Sequence, residues 1–337
     1  MNELEFQNIL KEKGIEVSEH QLQQFQKYYE ILVEWNEKMN LTAITDKEDV
    51  YLKHFYDSIT IAFDFDFNNQ TLIDVGAGAG FPSVPLKILY PNLKITIVDS
   101  LNKRITFLNH LFKELELDNC QAVAARAEEY AKDHRESVDI VMARAVARLN
   151  ILDELCLPLV KKNGYFLSLK GRQAPEEVKE AKKGIQLLGG QIESTHDFTL
   201  ANHDDFRSNI IIKKVKEIFS DYETKANIKE AHVTALNVIK KTNTLGITLE
   251  MDEYIEVKDI WYLEKFLIER FQFSNIDMTI HYQKDTQLKS IKEEWKNIIC
   301  YMAHKYPLMK PMLLMKSDVE INDNIINVKM HIRGTDF

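Results

Sequence analysis

Between residues 71 and 169, short apolar runs alternate with longer segments in which apolar residues recur every three or four positions. The short runs predict β-strands, and the longer segments predict amphipathic helices. This alternation predicts a parallel sheet with helices on both faces, that is, an α/β fold. The predicted strands are Thr71–Val75, Lys94–Asp99, Cys120–Ala125, Val138–Ala143 and Gly164–Leu169, and the predicted helices cover residues 83–90, 102–116, 149–161 and 175–188.

The chain on either side of this region has different patterns. Residues 18–40 predict an amphipathic helix that starts with a capping box formed by Ser18 and Gln21. Beyond the last predicted helix, two further apolar runs predict strands that close the sheet near residue 216. We therefore predict an N-terminal helical extension over residues 1–60, a sheet domain over 61–216, a polar linker over 217–242 and a small α+β domain over 243–337.

The composition predicts a soluble protein of the reducing cytoplasm. No apolar run approaches the ~20 residues of a membrane helix, and the acidic N-terminus lacks the features of a signal peptide. The three cysteines form no C-x-x-C pair, so free thiols are favoured over disulfides or a zinc site, and no metal site is expected. The net charge of −9 provides no general basic field for nucleic acid, although a local patch would suffice.

A glycine-rich turn, "IDVGAGAGFP" at residues 73–82, carries the main functional signal. A strand that runs through a glycine turn into a helix presents backbone N–H groups to a nucleotide. The dinucleotide fingerprint would place a small residue where Phe81 stands. The spacing found here is Asp74, Gly76, Gly78 and Gly80, which resembles motif I of S-adenosylmethionine (AdoMet) methyltransferases.

Residues at the ends of the next two strands complete a candidate nucleoside site. Asp99 ends the second strand about twenty residues after the glycines, where an acidic residue binds ribose hydroxyls. The alternative role of Asp99 is to cap the helix that begins near Asn102. Ala127 and Glu128 follow the third strand, where an adenine would lie; the alternative is a solvated helix start.

Several motifs in order resemble the bacterial RsmG (GidB) family, from residue 1 to about 216: "NLTAI", "HFYDSI", "DVGAGAGFPSVPLKI", "VDSLNKRITFL", "ARAVARL" and "LCLPLVKKNGYFLSLKG". The resemblance implies a Rossmann-like AdoMet methyltransferase that acts on guanine N7 in the 530 loop of 16S ribosomal RNA. The small ribosomal subunit or its RNA would be the partner. It also implies that the cofactor pocket is lined by Gly76, Gly78, Phe81, Ala127, Glu128 and Arg144.

The residues are compatible with N7 chemistry. Amino-group methyltransferases often carry an Asn/Asp-Pro-Pro-aromatic loop after the fourth strand, and this chain has "MARAVARL" there. Cytosine-C5 enzymes need a nucleophilic cysteine, whereas Cys156 lies within a helical pattern without any sign of activation. Guanine N7 carries a lone pair and no proton, so its methylation can rely on alignment without a general base.

Charged residues near the strand ends are candidates for substrate contacts. Arg144 ends the fourth strand and would hold either the cofactor carboxylate or guanine O6, unless it forms a surface ion pair. His54 and Asp57 lie one helical turn apart and would face the substrate, unless they are structural. Candidates for binding RNA phosphates, each of which has a solvated charge as its alternative, are Lys170, Arg172, Arg207, Lys213 and Lys214.

The C-terminal region departs from the RsmG pattern, whose chains usually end in a basic tail. Through "IWYLEKFLIERF" and "VKMHIRG", residues 243–337 weakly resemble the N-terminal region of PolC, a replicative DNA polymerase. The polymerase and exonuclease residues lie in later PolC domains, so a binding module is the most that this likeness implies. Two alternative functions therefore stay open: methylation of another substrate on the same scaffold, or a non-catalytic nucleic-acid or replisome adaptor.

Overall fold

A computed structural model describes residues 1–201, 204–215, 231–252, 254–282, 289–305, 318–322 and 325–329. The chain divides into two compact units, Met1–Glu217 and Ile218–Phe337. None of the helices within the described ranges is long and apolar enough to cross a membrane.

The N-terminal region is helical because its first two helices begin with side chains that satisfy free backbone N–H groups. Asn2 and Glu5 form a capping box at the first helix, and Ser18 and Gln21 form the predicted one at the second. The helical elements here are α1 (Glu3–Glu12), α2 (Glu19–Met39), α3 (Lys47–Val50), a π-helical turn (Tyr51–Tyr56), α4 (Asp57–Ile59) and a 3-10 turn (Thr60–Phe63).

The first unit is built on a seven-stranded, mostly parallel sheet, which confirms the predicted α/β fold. The strand order is β3-β2-β1-β4-β5-β7-β6; β1 to β5 pair in parallel, and β7 pairs antiparallel with both β5 and β6. The order reverses at β1, and doubly wound sheets bind ligands at such a point, beyond the carboxyl ends of the strands. The strands are β1 (Thr71–Val75), β2 (Lys94–Asp99), β3 (Cys120–Ala124), β4 (Val138–Arg144), β5 (Val160–Lys170), β6 (Gly190–Thr199) and β7 (Phe206–Lys214).

Helices connect the parallel strands. The helix after β1 is buried along its whole length, and α2 packs against it through a hydrogen bond from Gln21 Nε2 to the Ile88 carbonyl. The N-terminal helices and the sheet therefore share one hydrophobic core. The connecting helices are α5 (Ser83–Leu89), α6 (Asn102–Glu114), α7 (Ala127–Asp133), α8 (Leu149–Cys156) and α9 (Ala174–Leu187).

The largest differences from the predicted bounds lie between β4 and β5. The helix predicted over 149–161 ends at Cys156, and a 3-10 turn at Leu157–Leu159 contains Pro158, which has no N–H to continue a helix. The fifth strand accordingly begins at Val160 rather than Gly164. The short helix α7 begins at Ala127, as the alternative for Ala127 and Glu128 expected, but its seven residues give too little periodicity to predict its length.

The second unit contains a three-stranded sheet in the order β10-β9-β8 and a separate antiparallel pair, β11 and β12. The predicted linker 217–242 is corrected in part: residues 232–239 form a strand that pairs antiparallel with β9, whereas residues 216–230 lie outside the described ranges. The elements are β8 (His232–Ile239), β9 (Thr244–Met251), α10 (Val257–Phe271), β10 (Asn275–Tyr282), α11 (Lys289–Lys305), β11 (Asp318–Asn322) and β12 (Ile325–Lys329).

A buried carboxyl group in α8 makes the stability of the first unit depend on pH. Asp153 packs against α9, where a Cβ added to Gly184 would lie 3.0 Å from Asp153 Oδ2. Burial, assisted by the nearby Glu154 carboxylate, raises the pKa of Asp153 to about 8. The unfolded chain releases this proton near pH 4, so Asp153 opposes folding increasingly as the pH rises from about 4 to 8.

We therefore expect Asp153→Asn to raise the melting temperature by several degrees at pH 8.5 and to change it little at pH 4, measured by thermal unfolding. Asp139→Asn is the matched control. Burial alone would raise the pKa of Asp139, but hydrogen bonds from Thr71 and Lys161 hold it below its usual value. That substitution should lower stability at neutral pH. A pH-independent effect of Asp153→Asn would contradict this account.

Candidate functional site

A cavity of about 470 Å³ opens at the carboxyl ends of the central strands. It lies at the switch point of the sheet, where β1 and β4 are neighbours. Residues from the N-terminal region, the turn after β1, and the ends of β2, β3 and β4 line this first cavity. They include Thr42, His54, Gly76, Gly78, Phe81, Asp99, Arg104, Ala127, Glu128, Arg144 and Val146.

The turn after β1 needs glycine at the two positions that line the first cavity. Gly76 has φ +71° and donates its N–H to the Val98 carbonyl at 2.8 Å. A Cβ at Gly76 would lie 2.8 Å from Val146 Cγ2. Gly78 has φ +62°, and a Cβ there would meet nothing within 4 Å. Its missing side chain therefore leaves open space within the cavity for a ligand to approach the backbone.

Asp99 lines the first cavity, and protein donors already occupy most of its carboxylate. The carboxylate is buried; Oδ1 accepts the Leu101 N–H at 3.0 Å, and Oδ2 accepts Arg104 Nη1 at 2.9 Å and the Gly78 N–H at 3.3 Å. The N-cap of α6 is Leu101, and no side chain caps this helix, so the capping alternative for Asp99 is wrong. A carboxylate offers about four acceptor positions, so roughly one remains for a ligand hydroxyl. Arg104 lies five residues after Asp99, and the sequence prediction missed it.

Two of the predicted cofactor residues, Asp74 and Gly80, do not line the cavity. Asp74 is fully buried, and its Oδ2 accepts the Ser83 N–H at 3.0 Å, while burial raises its pKa to about 6. A Cβ at Gly80 would lie 2.7 Å from Val84 Cγ2 and 2.8 Å from the Tyr28 hydroxyl. Both residues therefore support the glycine turn on the side away from the cavity, because packing leaves them no access to a ligand.

Arg144, Phe81 and His54 form a layered wall beside the glycine turn. The imidazole of His54 stacks on the Phe81 ring at 4.5 Å between centroids, and the Arg144 guanidinium carbon lies 5.3 Å from the same centroid. His54 Nε2 shares a 2.8 Å hydrogen bond with Thr42 Oγ1. Burial, with the nearby Arg144 charge, lowers the pKa of His54 to about 4. His54 is consequently a neutral imidazole at physiological pH.

A second cavity of about 620 Å³ adjoins the first. The two share His54, Arg144, Ala145 and Val146, so these residues stand between one compartment and the next. Ala145 adopts φ +55°, which turns the chain sharply after β4. The residues that line only the second cavity include Asp57, Arg148, Lys170, Arg172, Glu177, Arg207 and Asn209.

The five predicted phosphate-binding residues occupy different environments. Lys170 is buried, with its Nζ 2.7 Å from Glu177 and donating to the Ala147 carbonyl, and Lys214 is buried with its Nζ directed at the Leu157 carbonyl. These two lysines are therefore corrected to structural cations, because their charges are already paired and shielded from solvent.

The other three residues remain candidates. Arg172 is exposed and lines the second cavity. Arg207 lines the same cavity and donates to Asp57. Lys213 lies outside both cavities, with its Nζ 5.5 Å from the centroid of the Tyr165 ring. Of the five predicted residues, Arg172 and Arg207 are therefore the candidates that remain at the second cavity.

Neither cavity is lined by a cysteine in the described part of the chain. Cys156 is fully buried in α8, and burial raises the pKa of its thiol well above the usual value. Groups of three or more His, Cys, Asp or Glu side chains that could hold a metal ion are absent from the described residues. The polar side chains that the two cavities share are the neutral imidazole of His54 and the guanidinium of Arg144.

Comparisons with known proteins give a consistent result for the first unit. The family model described as "GidB: rRNA small subunit methyltransferase G" matches residues 21–204. Similar proteins include the ribosomal RNA small subunit methyltransferases G of Macrococcus caseolyticus and Staphylococcus epidermidis. They are 58% identical over 227 residues and 60% identical over 218; the alignments cover 67% and 64% of this chain and 95% and 91% of those proteins.

A solved structure described as a SAM-dependent methyltransferase from Aquifex aeolicus also aligns, with 15% identity and a TM-score of 0.40. The alignment covers 52% of this chain and 97% of that one. So distant a likeness carries no weight for function.

Proposed function

Because the chain belongs to the GidB family of rRNA small subunit methyltransferases, we propose that it methylates N7 of a guanine in the 530 loop of 16S ribosomal RNA, with AdoMet as the methyl donor. The main support for this proposal is a pair of adjoining cavities that are both lined by Arg144 and His54. One compartment suits the cofactor, and the other suits a target nucleotide. Such a reaction would take place in the cytoplasm, on the small ribosomal subunit or its RNA.

The first cavity fits AdoMet in its chemistry. The open space at Gly78 admits a ligand to the backbone, and Asp99 retains an acceptor position for a ribose hydroxyl. Ala127 and Glu128 line the cavity where α7 begins, in reach of an adenine. Arg144 would hold the cofactor carboxylate or, across the shared wall, guanine O6. When bound, AdoMet supplies an electrophilic methyl group on a sulfonium.

The side chains between the cavities suit a nucleophile that needs no deprotonation. With its pKa near 4, His54 is a poor proton acceptor at neutral pH. Guanine N7 already exposes a lone pair, so the protein has only to align the base and exclude water. Arg144 donates hydrogen bonds, and guanine O6 next to N7 is an acceptor. An exocyclic amine would be a less suitable target, because it must also lose a proton.

The substrate can be tested by incubating the chain with 16S RNA or small subunits and labelled AdoMet, followed by nucleoside analysis. N7-methylguanosine is the expected labelled product. Another methylated nucleoside would show that a different substrate is used on the same scaffold. Calorimetric titration distinguishes an enzyme from a non-catalytic adaptor. An adaptor would not bind AdoMet, whereas an enzyme would bind it saturably with one-to-one stoichiometry.

Asp99→Ala is expected to weaken AdoMet binding more than it slows methyl transfer at saturation. Hydrogen bonds to a charged group contribute about 1.5–3 kcal/mol, which corresponds to a rise of roughly 10- to 150-fold in Kd. Calorimetry measures this change directly. Asp139→Ala is the matched control, because Asp139 bonds to Thr71 and lies outside both cavities. An unchanged Kd in Asp99→Ala would exclude the ribose role.

The second unit is proposed to be a separate folding unit that methylation does not require. No lining residue of either cavity lies beyond Asn209 in the described chain. We expect a fragment of residues 1–217 to bind AdoMet with a Kd within about twofold of that of the full chain, as an independent domain would. Calorimetry and thermal unfolding of both proteins test this. An insoluble fragment, or one with lost affinity, would show that the units depend on each other.

A further inference from the structure

Asp57, in the short helix α4, contacts two arginines from different strands of the sheet. Arg144 Nη1, from the end of β4, donates to Oδ2 at 3.2 Å, and Arg207 Nε, from β7, donates to Oδ1 at 2.9 Å. Only 9% of the Asp57 side chain is exposed, and all three residues line the second cavity. The carboxylate therefore joins the N-terminal region to the edge of the sheet inside the proposed substrate compartment.

The charges of this cluster do not cancel. One carboxylate faces two guanidinium groups, so the cluster keeps one positive charge in excess. Burial lowers the pKa of Arg144, and the Asp57 carboxylate is the largest influence that counteracts burial. Without Asp57, the guanidinium groups of Arg144 and Arg207 would repel each other in a place shielded from solvent. Arg144 would then lose the contact that fixes its orientation.

The bond to Asp57 also determines which N–H groups of Arg144 remain available to a ligand. Within the described residues, the bond to Asp57 is the one side-chain hydrogen bond that Arg144 makes, and it uses Nη1 alone. The other donors of the planar guanidinium are left for a ligand at the wall between the cavities. A fixed guanidinium plane matters because bidentate recognition depends on orientation.

We propose that Asp57 is a positioning residue that holds Arg144, through its Nη1, in the orientation used for methyl transfer, with Arg207 fixed against its other oxygen. This proposal rests on the proposed function, since it assigns a role within the same site. The sequence suggested that Asp57 would touch the substrate; the structure instead directs both of its oxygens at arginines.

The test is a double-mutant cycle on the full chain, with methyl transfer to 16S RNA as the readout. We expect Asp57→Asn to lower kcat/KM by roughly 10- to 100-fold, as misplacement of a positioning group does. In an Arg144→Gln background, the same substitution should change the rate by less than about twofold, because its effect passes through Arg144. An equal factor in both backgrounds would overturn the proposal in favour of a purely structural role.

Asp64→Asn is the matched control. Asp64 also fixes the N-terminal region to the sheet, through His196 Nδ1 at 2.7 Å and Asn209 Nδ2 at 2.9 Å, but it lines neither cavity. It should destabilise the fold as Asp57→Asn does and leave kcat/KM near the parent value. An equal loss of activity in the two variants would also overturn the proposal.

A second readout does not depend on activity. Arginine side-chain ¹⁵N NMR of the full chain should show restricted rotation of the Arg144 guanidinium, and Asp57→Asn should release it. An unchanged Arg144 signal would contradict the proposal whether or not the parent protein methylates RNA. Failure of methyl transfer in the parent, with the NMR result as expected, would instead count against the proposed function alone.

Discussion

Replacing Gly78 by valine is expected to abolish AdoMet binding, with a rise of at least about 100-fold in Kd. Gly78 has φ +62°, a conformation that a β-branched residue adopts only at a cost of about 1–3 kcal/mol. Its Cβ would point into open space within the first cavity, so the valine side chain would occupy volume assigned to the cofactor. The substitution thus acts through exclusion of the ligand as well as through backbone strain.

Gly14→Val separates these two effects. Gly14 follows α1 with φ +82°, and a Cβ there would also meet nothing within 4 Å, but Gly14 lines neither cavity. Calorimetry with AdoMet and thermal unfolding should show that both variants lose stability and that only Gly78→Val loses binding. Binding by Gly78→Val at the parent affinity would refute the proposed cofactor site; equal loss in both variants would attribute the effect to strain.

Replacing Arg144 by glutamine is expected to reduce kcat/KM for methyl transfer by about 100-fold or more. The guanidinium stands between the two cavities, and glutamine would remove its charge and shorten its reach. Arg144→Lys should restore only part of the activity, because an ammonium keeps the charge but not the planar donor fork. Thermal unfolding must accompany the kinetics, since Arg144→Gln also removes one of the two partners of Asp57.

The same variant shows which ligand Arg144 holds. If it binds the cofactor carboxylate, the Kd of AdoMet rises in the absence of RNA. If it binds guanine O6, that Kd is unchanged and the loss appears only with RNA. Arg135→Gln is the control for loss of an arginine charge, because Arg135 lines neither cavity. Full activity of Arg144→Gln would remove this residue from the mechanism.

The sequence predicted the sheet of the first unit well, because apolar strand runs bounded by polar helices are a local signal. The bounds of β1 and β2 agree with the prediction to the residue. The prediction failed at two places where the local signal was passed over. Strand β8 is largely exposed and was assigned to the linker, although it pairs with β9, the next strand in the chain. In α8, Pro158 should have signalled the early helix end.

The sequence likewise predicted only part of the candidate site. Spacing along the chain brought Gly76, Gly78 and Asp99 to one cavity, because parallel strands end at the same edge of the sheet. Spacing does not reveal burial or ion pairing. Lys170 and Glu177 lie seven residues apart in sequence but form a buried ion pair, which removes that lysine from the RNA-binding candidates. The link between Asp57 and Arg207 spans 150 residues and has no local signal.

The central claim is methylation at one guanine of the small-subunit RNA. It is tested most directly by mapping N7-methylguanosine on 16S RNA from cells that lack this gene and from cells in which the gene has been restored. The account predicts that one methyl group in the 530 loop is absent without the gene and returns with the parent gene but not with Gly78→Val. An unchanged methylation pattern without the gene, or a loss at another position, would contradict the account.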